Sequence, residues 1–300
     1  MRVSNKTFFD TARFNLANLT DDLNRANMVV SSSNRLLKLS DDPVGLIQVL
    51  NMRSSLSNID QMERNISFGK SWLASSESAQ TSVQNLVSDT KVLCVQMATA
   101  TTGAAERRSA AKSVENNLKE IVALANTNVN GRYIFAGLET DSTAFTLNTA
   151  DNSVTYNGDN NAFTVKIGRN ASVEIGGDGQ AVFQPSGAGL SDDIFVIMKD
   201  LITALQGNDI AGIQTAMTNL DTFFDHNSAQ ISDVGSKMIR MEIKANVFQG
   251  LEISTKERLS EIEEPDMVEA ILELKAKELA YQAALAATSR VLQLSIVNYM

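Results

Sequence analysis

The stretch NTNVNGRYIFAGLETDSTAFT, residues 126–146, interrupts the pattern of everything around it. Before it the chain reads as long helices, with Ala, Ser, Asn and charged residues around sparse apolar stripes. At Gly131 the text changes to Tyr133, Ile134 and Phe135, then a glycine, then short runs of Thr and Phe. A helical chain broken in this way predicts a mainly α fold with a small β domain inserted mid-chain.

Within the insert, SVTYNG (153–158) and AFTVKIG (162–168) alternate apolar and polar residues around turn-prone NGDNN (157–161), which predicts a hairpin of those two runs. ASVEIGGDGQAVF (171–183) predicts two more short strands around Gly176–Gly179. LSDDIFVIMKDLITALQ (190–206) then returns to helix, with Ser191 and the acids after it as the expected N-terminal cap. The outer β domain is expected over 132–190.

Outward from the insert, both arms are helical. Phe9, Ala12, Leu16, Leu19, Leu23, Ala26, Val30, Ser33 and Leu37 fall at alternating spacings of three and four, the seam of a coiled coil. That seam ends at KLSDDPVGL (38–46), where Asp42 can cap and Pro43 suits the first position of a new helix. The second helix is expected from Pro43 to about Thr101, ~90 Å long at 1.5 Å per residue. Gly103 breaks it, and a third helix should run from Ala104 to about Asn128.

The far arm mirrors the near one. From Asp209 onward Leu220, Phe224, Ile231, Val234, Met238 and Met241 keep heptad spacing, with Asn227 as a polar interruption. At IEEPDMVEA (262–270), Glu264 and Pro265 repeat the acid-then-proline helix start of Asp42 and Pro43. A last helix carries Ile271, Leu274, Tyr281, Leu285, Leu292 and Tyr299 on its seam. The expected architecture is a long antiparallel helical rod or coiled-coil bundle made from both chain ends. Terminal helices (1–42 and 265–300) form an assembly core, long helices (43–131 and 191–264) form the rod, and the β domain caps it.

Composition and motifs exclude more than they suggest. The net charge of −9 with scattered basic residues gives no electrostatic footprint for nucleic acid. A single cysteine, Cys94 in KVLCVQM, cannot form an internal disulfide and reads as a buried, inert thiol. The start MRVSNKTFFDTARF has no apolar core of a secretory signal, and the most apolar window, 279–300, is too polar to span a membrane. His226, the one histidine, has no second His or Cys at ligand spacing. GGDGQ (176–180) lacks the Lys and Ser or Thr of a phosphate loop, and DNSVTYNGD (151–159) lacks the closing Glu of a calcium loop. The reading is therefore a non-enzyme with no catalytic residue, no cofactor and no metal.

The unusual feature is the end. Over 279–300 the only charged side chain is Arg290, and apolar residues lie on every face. A helix apolar all round is normally buried on all sides, so several copies are expected to pack together.

The segment SSSNRLLKLSDDPVGLIQVLNMRSSLSNIDQMERNI (31–66), which includes Asp41, Asp42 and Pro43, is similar to the N-terminal segment of bacterial flagellins. Within that superfamily, the start MRVS, the motif NGRYIFAG (130–137) and the ending AATSRVLQLSIVNYM (286–300) resemble the hook-associated proteins of the hook–filament junction. The motif residues are Asn130, Gly131, Arg132, Tyr133, Phe135 and Gly137. The resemblance implies a structural subunit of the bacterial flagellum, exported unfolded by the flagellar type III apparatus and assembled extracellularly as a ring of copies. It implies a neighbouring hook-associated protein and flagellin as partners, and the apolar last helix suggests a cytoplasmic export chaperone. On that frame Gly131 and Gly137 are expected as hinge-like points where the rod turns into its cap; the spacing of Tyr133, Ile134 and Phe135, apart from the resemblance, suggests plugs between layers. The alternatives are a flagellin filament subunit and, in another class, a cytoplasmic helical signalling or scaffold protein.

Overall fold

The computed structural model describes residues 2–297, with the side chains of 7 and 9–290. Helices α1 (Arg2–Ser32), α2 (Pro43–Met97) and α3 (Ala104–Ala125) precede strands β1 (Asn128–Val129), β2 (Arg132–Tyr133), β3 (Phe145–Asn148), β4 (Ser153–Tyr156), β5 (Thr164–Gly168) and β6 (Ala171–Glu174). Helices α4 (Gly179–Phe183), α5 (Ile194–Gln206), α6 (Ile210–Glu263) and α7 (Met267–Val297) follow. The fold is mainly α, with long helices at both ends and a small mid-chain sheet region. At 55 and 54 residues, α2 and α6 are each roughly 80 Å long.

The ends of these helices have identifiable causes. Helix α3 stops at Ala125 because the Asn126 side chain turns to the sheet. Its Nδ2 donates to the Phe145 carbonyl at 2.8 Å and its Oδ1 accepts from the Phe145 N–H at 2.9 Å, so an amide side chain stands in for a neighbouring strand. Helix α5 is capped by Asp193, one of the acids expected there after Ser191: Asp193 Oδ1 accepts from the N–H groups of Phe195 and Val196. Helix α7 begins two residues after Pro265, and its cap is Asp266, which accepts from Val268 N–H at 2.8 Å. The shorter Asp side chain reaches its own first turn; Glu264 instead accepts from the Ser260 hydroxyl.

The sheet region differs from its sequence reading in two ways. The expected hairpin of 153–158 with 162–168 does not form. Instead β4 pairs antiparallel with β3, Phe145 opposite Tyr156, and β5 pairs with β6. The residues between β4 and β5 are held by a different job, because Asp159 Oδ1 accepts from the Leu138 N–H at 2.5 Å and Asp159 N–H donates to the Ala136 carbonyl at 3.2 Å. The second difference is that the expected last strand is helix α4. Asp178 accepts from the Gln180 N–H and starts a turn that directs Val182 and Phe183 into the core.

The chain divides into two compact units, one of residues 1–59 with 250–300 and the other of 60–249. In the terminal unit α1 packs antiparallel to α7, with Asp22 and Lys277 paired at 2.7 Å. The central unit holds the main core. There Phe145 stacks within 5.0–5.4 Å of Tyr156, Phe183 and Phe195, and Phe135 meets Phe183 edge-on at 5.1 Å.

Candidate assembly surface and its framing motifs

In α1, Leu16, Leu19, Leu23 and Val30 are half-buried and Ala26 is buried, whereas Phe9 and Phe14 are exposed. In α7 the buried and half-buried positions include Ala270, Leu274, Lys277, Tyr281, Ala284 and Thr288, spaced by fours and threes. Leu274 and Tyr281 thus lie on the face turned to α1. Ile271 and Leu285, expected on the same seam, fall one position further round and are exposed, together with Val268, Leu272 and Leu279. The Leu292 side chain and Tyr299 lie outside the described residues. Near the end of the described pairing, Thr11, Ala12 and Leu16 line a groove with Ala284 and Thr288.

The SDDP turn that links α1 to α2 is built around two carboxylates with separate tasks. Asp41 Oδ2 accepts from the N–H groups of Lys38 at 2.9 Å and Leu37 at 3.1 Å, and its Oδ1 accepts from Arg25 at 2.9 Å. The Lys38 N–H foremost, with Leu37 and Arg25 behind it, holds the Asp41 carboxyl below the usual carboxylate range. Asp42 caps α2: its Oδ1 accepts from Gly45 N–H at 2.9 Å, with Pro43 in the first helical position. A Cβ on Gly45 would sit 2.4 Å from the Asp42 carboxylate, so a larger residue there would push the capping carboxylate aside.

Two arginines that the sequence does not single out lock this turn to the end of α6. Arg35 N–H donates to the Glu263 carbonyl at 2.7 Å and its guanidinium to the Ile262 carbonyl at 3.0 Å. Arg53 pairs with the Glu263 carboxylate. A cation at a helix C-terminus satisfies its free carbonyls and opposes its dipole.

The NGRYIFAG motif lies wholly in the central unit. Asn130 (φ 53°) and Gly131 (φ 84°) occupy the left-handed region as the two-residue turn between β1 and β2. Successive left-handed residues define a tight hairpin turn. Gly131 is therefore the tip of a fixed turn rather than a hinge between layers. Asn128 Oδ1 accepts its N–H at 2.8 Å. Arg132 is exposed and Tyr133 half-buried, while Ile134 and Phe135 are buried in the aromatic core. At Gly137 (φ 68°) a Cβ would lie 2.0 Å from Asp159 Oδ1, so this glycine marks a close backbone crossing. Tyr156 Oη donates near the same place, 2.9 Å from the Asp159 carbonyl and 3.2 Å from that of Phe135. The motif welds sheet and helix together inside one unit.

Arg107, also unremarked in the sequence, is buried without a carboxylate partner. Its guanidinium donates to the Met97 and Thr99 carbonyls, each at 2.9 Å, and to the Asn208 side chain, so it closes the end of α2 and ties α3 to the α5–α6 link. Cys94 is buried, and burial pushes its thiol up to about 11, away from thiolate chemistry. His226 meets the Ala181 carbonyl at 2.8 Å. Among the described residues no group of three His, Cys, Asp or Glu is placed to hold a metal, and no helix is long and apolar enough to cross a membrane.

Residues 3–140 match the bacterial flagellin N-terminal helical region, and residues 210–300 match the bacterial flagellin C-terminal helical region. Flagellar hook-associated protein 3 of Salmonella typhimurium is 21% identical over 304 residues, covering 95% of each chain. The Escherichia coli protein of the same name is 23% identical over 234 residues, covering 74% of this chain and 73% of that one. Among solved structures, a hook-associated protein of Vibrio parahaemolyticus aligns with TM-score 0.68 at 18% identity, over 75% of this chain and 100% of that one. Bacillus cereus FlgL aligns with TM-score 0.58 at 24% identity, over 69% and 97%. These alignments are of the fold.

Proposed function

The chain belongs to the flagellin family, and from that premise we propose that it is a structural subunit of the bacterial flagellum that joins hook to filament and lets flagellin polymerise. The observation that carries this reading is the end-to-end match to hook-associated protein 3, which covers 95% of both chains and includes the mid-chain region as well as the two helical arms. A bulk filament subunit and a cytoplasmic scaffold have no such support. The alternative of an enzyme has none either, since the relatives are flagellar structural proteins.

The finer reading concerns how the subunit is placed. Copies form a ring through the terminal helices, with the neighbouring hook-associated protein on one side and flagellin on the other. The exposed aliphatic residues of α7 and Phe9 and Phe14 of α1 support it, because large apolar groups on solvated helices are favourable only when a partner removes them from water. The β domain lies on the outside, export is through the flagellar type III apparatus, and a cytoplasmic chaperone covers the C-terminal helix before export. Order in the terminal helices comes from the assembly, which offsets a backbone entropy cost of ~1–2 kcal/mol per residue.

Cells lacking the protein should carry intact hooks and release unpolymerised flagellin into the medium. Filaments of normal length in such cells would refute the junction role. Hydrogen exchange on the isolated full-length chain tests the ordering: strong protection of amides in 285–297 without a partner would overturn it.

A further inference from the structure

On α6 the residues Ile239, Ile243 and Val247 recur every fourth position and are 63%, 58% and 49% exposed. They lie on the far side of the helix from Val234 and Met241, which are buried. Arg240 and Lys244 directly follow Ile239 and Ile243 and line one edge of this ridge, and neither has an ion pair among the described residues. On α7 the same pattern recurs with the opposite charge. Val268 and Leu272 are 70% and 65% exposed, and Glu269 and Glu273 directly follow them. Neither glutamate has an ion pair among the described residues, and Lys277, one turn beyond Glu273, is paired with Asp22.

Within one chain these two ridges are kept apart by length. Ile239 stands 24 residues before the end of α6, ~36 Å at 1.5 Å per residue. From that end to Leu272 the chain runs through a short link and five residues of α7, at most ~22 Å. Packed helix axes lie about 8–10 Å apart, so the difference cannot be closed and a matching ridge has to come from another copy. Orientation follows from the handedness of the helices. Facing helices that run antiparallel bring the same edge of each together, and parallel ones bring opposite edges together. Antiparallel packing sets Ile239 against Leu272 and Ile243 against Val268, with Arg240 beside Glu273 and Lys244 beside Glu269. Parallel packing would turn Arg240 and Lys244 toward the edge of α7 that carries Lys275.

We propose that the Ile239–Val247 ridge of α6 docks, antiparallel, against the Val268–Leu272 ridge of α7 from a neighbouring copy. The docking presupposes the ring of copies proposed above and adds the surfaces that one of its contacts uses. Aliphatic side chains leave water along the ridges, and the charged edges select the partner and its direction. Each copy offers both ridges and each ridge fits only the other, so the contact leads from copy to copy and closes into a ring where the rotation permits. Two turns of helix present far fewer than the roughly 20–30 residues a side of a stable pair. The contact therefore acts when repeated around an assembly, and two free copies stay apart.

Cross-linking in assembled flagella tests this on the full chain, with Cys94→Ala removing the native thiol. A chain carrying both Arg240→Cys and Glu273→Cys, treated with a short bis-maleimide, should give a ladder of dimers, trimers and higher multimers. Either cysteine alone should give no ladder, and neither should Ala229→Cys with Glu273→Cys, which lies about 16 Å out of register. A chain recovered in the flagella without a ladder, or with an equal ladder from Ala229→Cys, would overturn this contact alone. A chain absent from the flagella would overturn the junction reading and this contact with it. Charge exchange gives a second measure without cysteines. Arg240→Glu with Lys244→Glu should leave the denaturation midpoint of the free chain unchanged and cut the number of filament-bearing hooks about fivefold, the effect of losing two exposed charge pairs. Adding Glu269→Lys and Glu273→Lys to the same chain should restore the count. An unchanged count in the first variant, or no recovery in the second, would refute the pairing of these edges.

Discussion

The central and terminal units are both made largely of helix, yet they dispose of their apolar residues in opposite ways. In the central unit an aromatic cluster of Phe135, Phe145, Phe183 and Phe195 joins the helices and the sheet region in one buried core. In the terminal unit the described buried apolar residues are only Ala26, Val49, Ile59 and Ala270, while Val44, Ile47, Leu50, Val268, Leu272 and Leu279 are exposed. Burial contributes ~25 cal/mol per Å² of apolar surface removed from water. The central unit therefore carries its own stabilisation, and the terminal unit leaves several large apolar side chains in water.

The sharpest way to break this comparison is a pair of substitutions. Phe183→Ala should destabilise the central unit by about 3–5 kcal/mol, since it empties the middle of the aromatic cluster. Leu272→Ala in the isolated chain should change stability by less than about 0.5 kcal/mol, yet it should impair motility. Chemical denaturation and swarming assays read the two effects. Equal losses of stability would show that the units do not differ as described.

Next in size is Arg107→Ala, which leaves two helix-end carbonyls and the Asn208 amide oxygen without their donor. The expected cost is about 3 kcal/mol, and Arg107→Lys should recover little of it because an ammonium cannot reproduce the planar fork. Gly137→Ala should cost about 2 kcal/mol from its left-handed backbone and the crossing with Asp159. In the terminal unit the largest comparable local effect is smaller: Asp42→Ala removes the cap of α2 and should cost about 1 kcal/mol. Thermal unfolding of the full chain measures all three.

The smallest expected effect depends on pH. Burial, opposed by N–H donors from Gly189, Phe195 and Val196, raises the Asp193 carboxyl above its ordinary value. The folded chain then holds this proton at pH values where the unfolded chain has released it. Stability from this site is therefore greatest below the ordinary carboxylate range and declines as pH rises through the raised value. In Asp193→Asn that slope should disappear from the stability–pH curve, and an unchanged slope would assign it to another group.

Helix positions were legible because heptad spacing and breakers act locally. Asp42 and Pro43 start α2 as their chemistry requires, and the long helices end within a few residues of Gly103 and Pro265. Strand pairing was less legible. Tyr156 alternates as well against Phe163 as against Phe145, and local pattern cannot choose between neighbours in a sheet. The choice was made by Asp159, whose carboxylate and backbone bind across to 136–138 and thereby separate β4 from β5. GQAVF likewise has strand-like composition, but an Asp at its start and a core waiting for Val182 and Phe183 make it helical. Arg107 was invisible because its role depends on the fold bringing the end of α2 and Asn208, 101 residues away, to one guanidinium.

By itself the sequence determined the mainly α class, the mirrored helical arms, the mid-chain interruption and the relationship to flagellins. Each of these rests on periodicity, on local capping chemistry or on contiguous motifs, which do not depend on what lies across the fold. Only the tertiary structure decided which strands pair, which face of α7 meets α1, and that NGRYIFAG is a turn and core element instead of a hinge. Those outcomes depend on which residues meet across elements, as with Thr11 and Ala12 beside Ala284 and Thr288 in the α1–α7 groove, and on hydrogen bonds such as that between Asn126 and Phe145. Such terms are set by three-dimensional neighbours, and no window along the chain contains them.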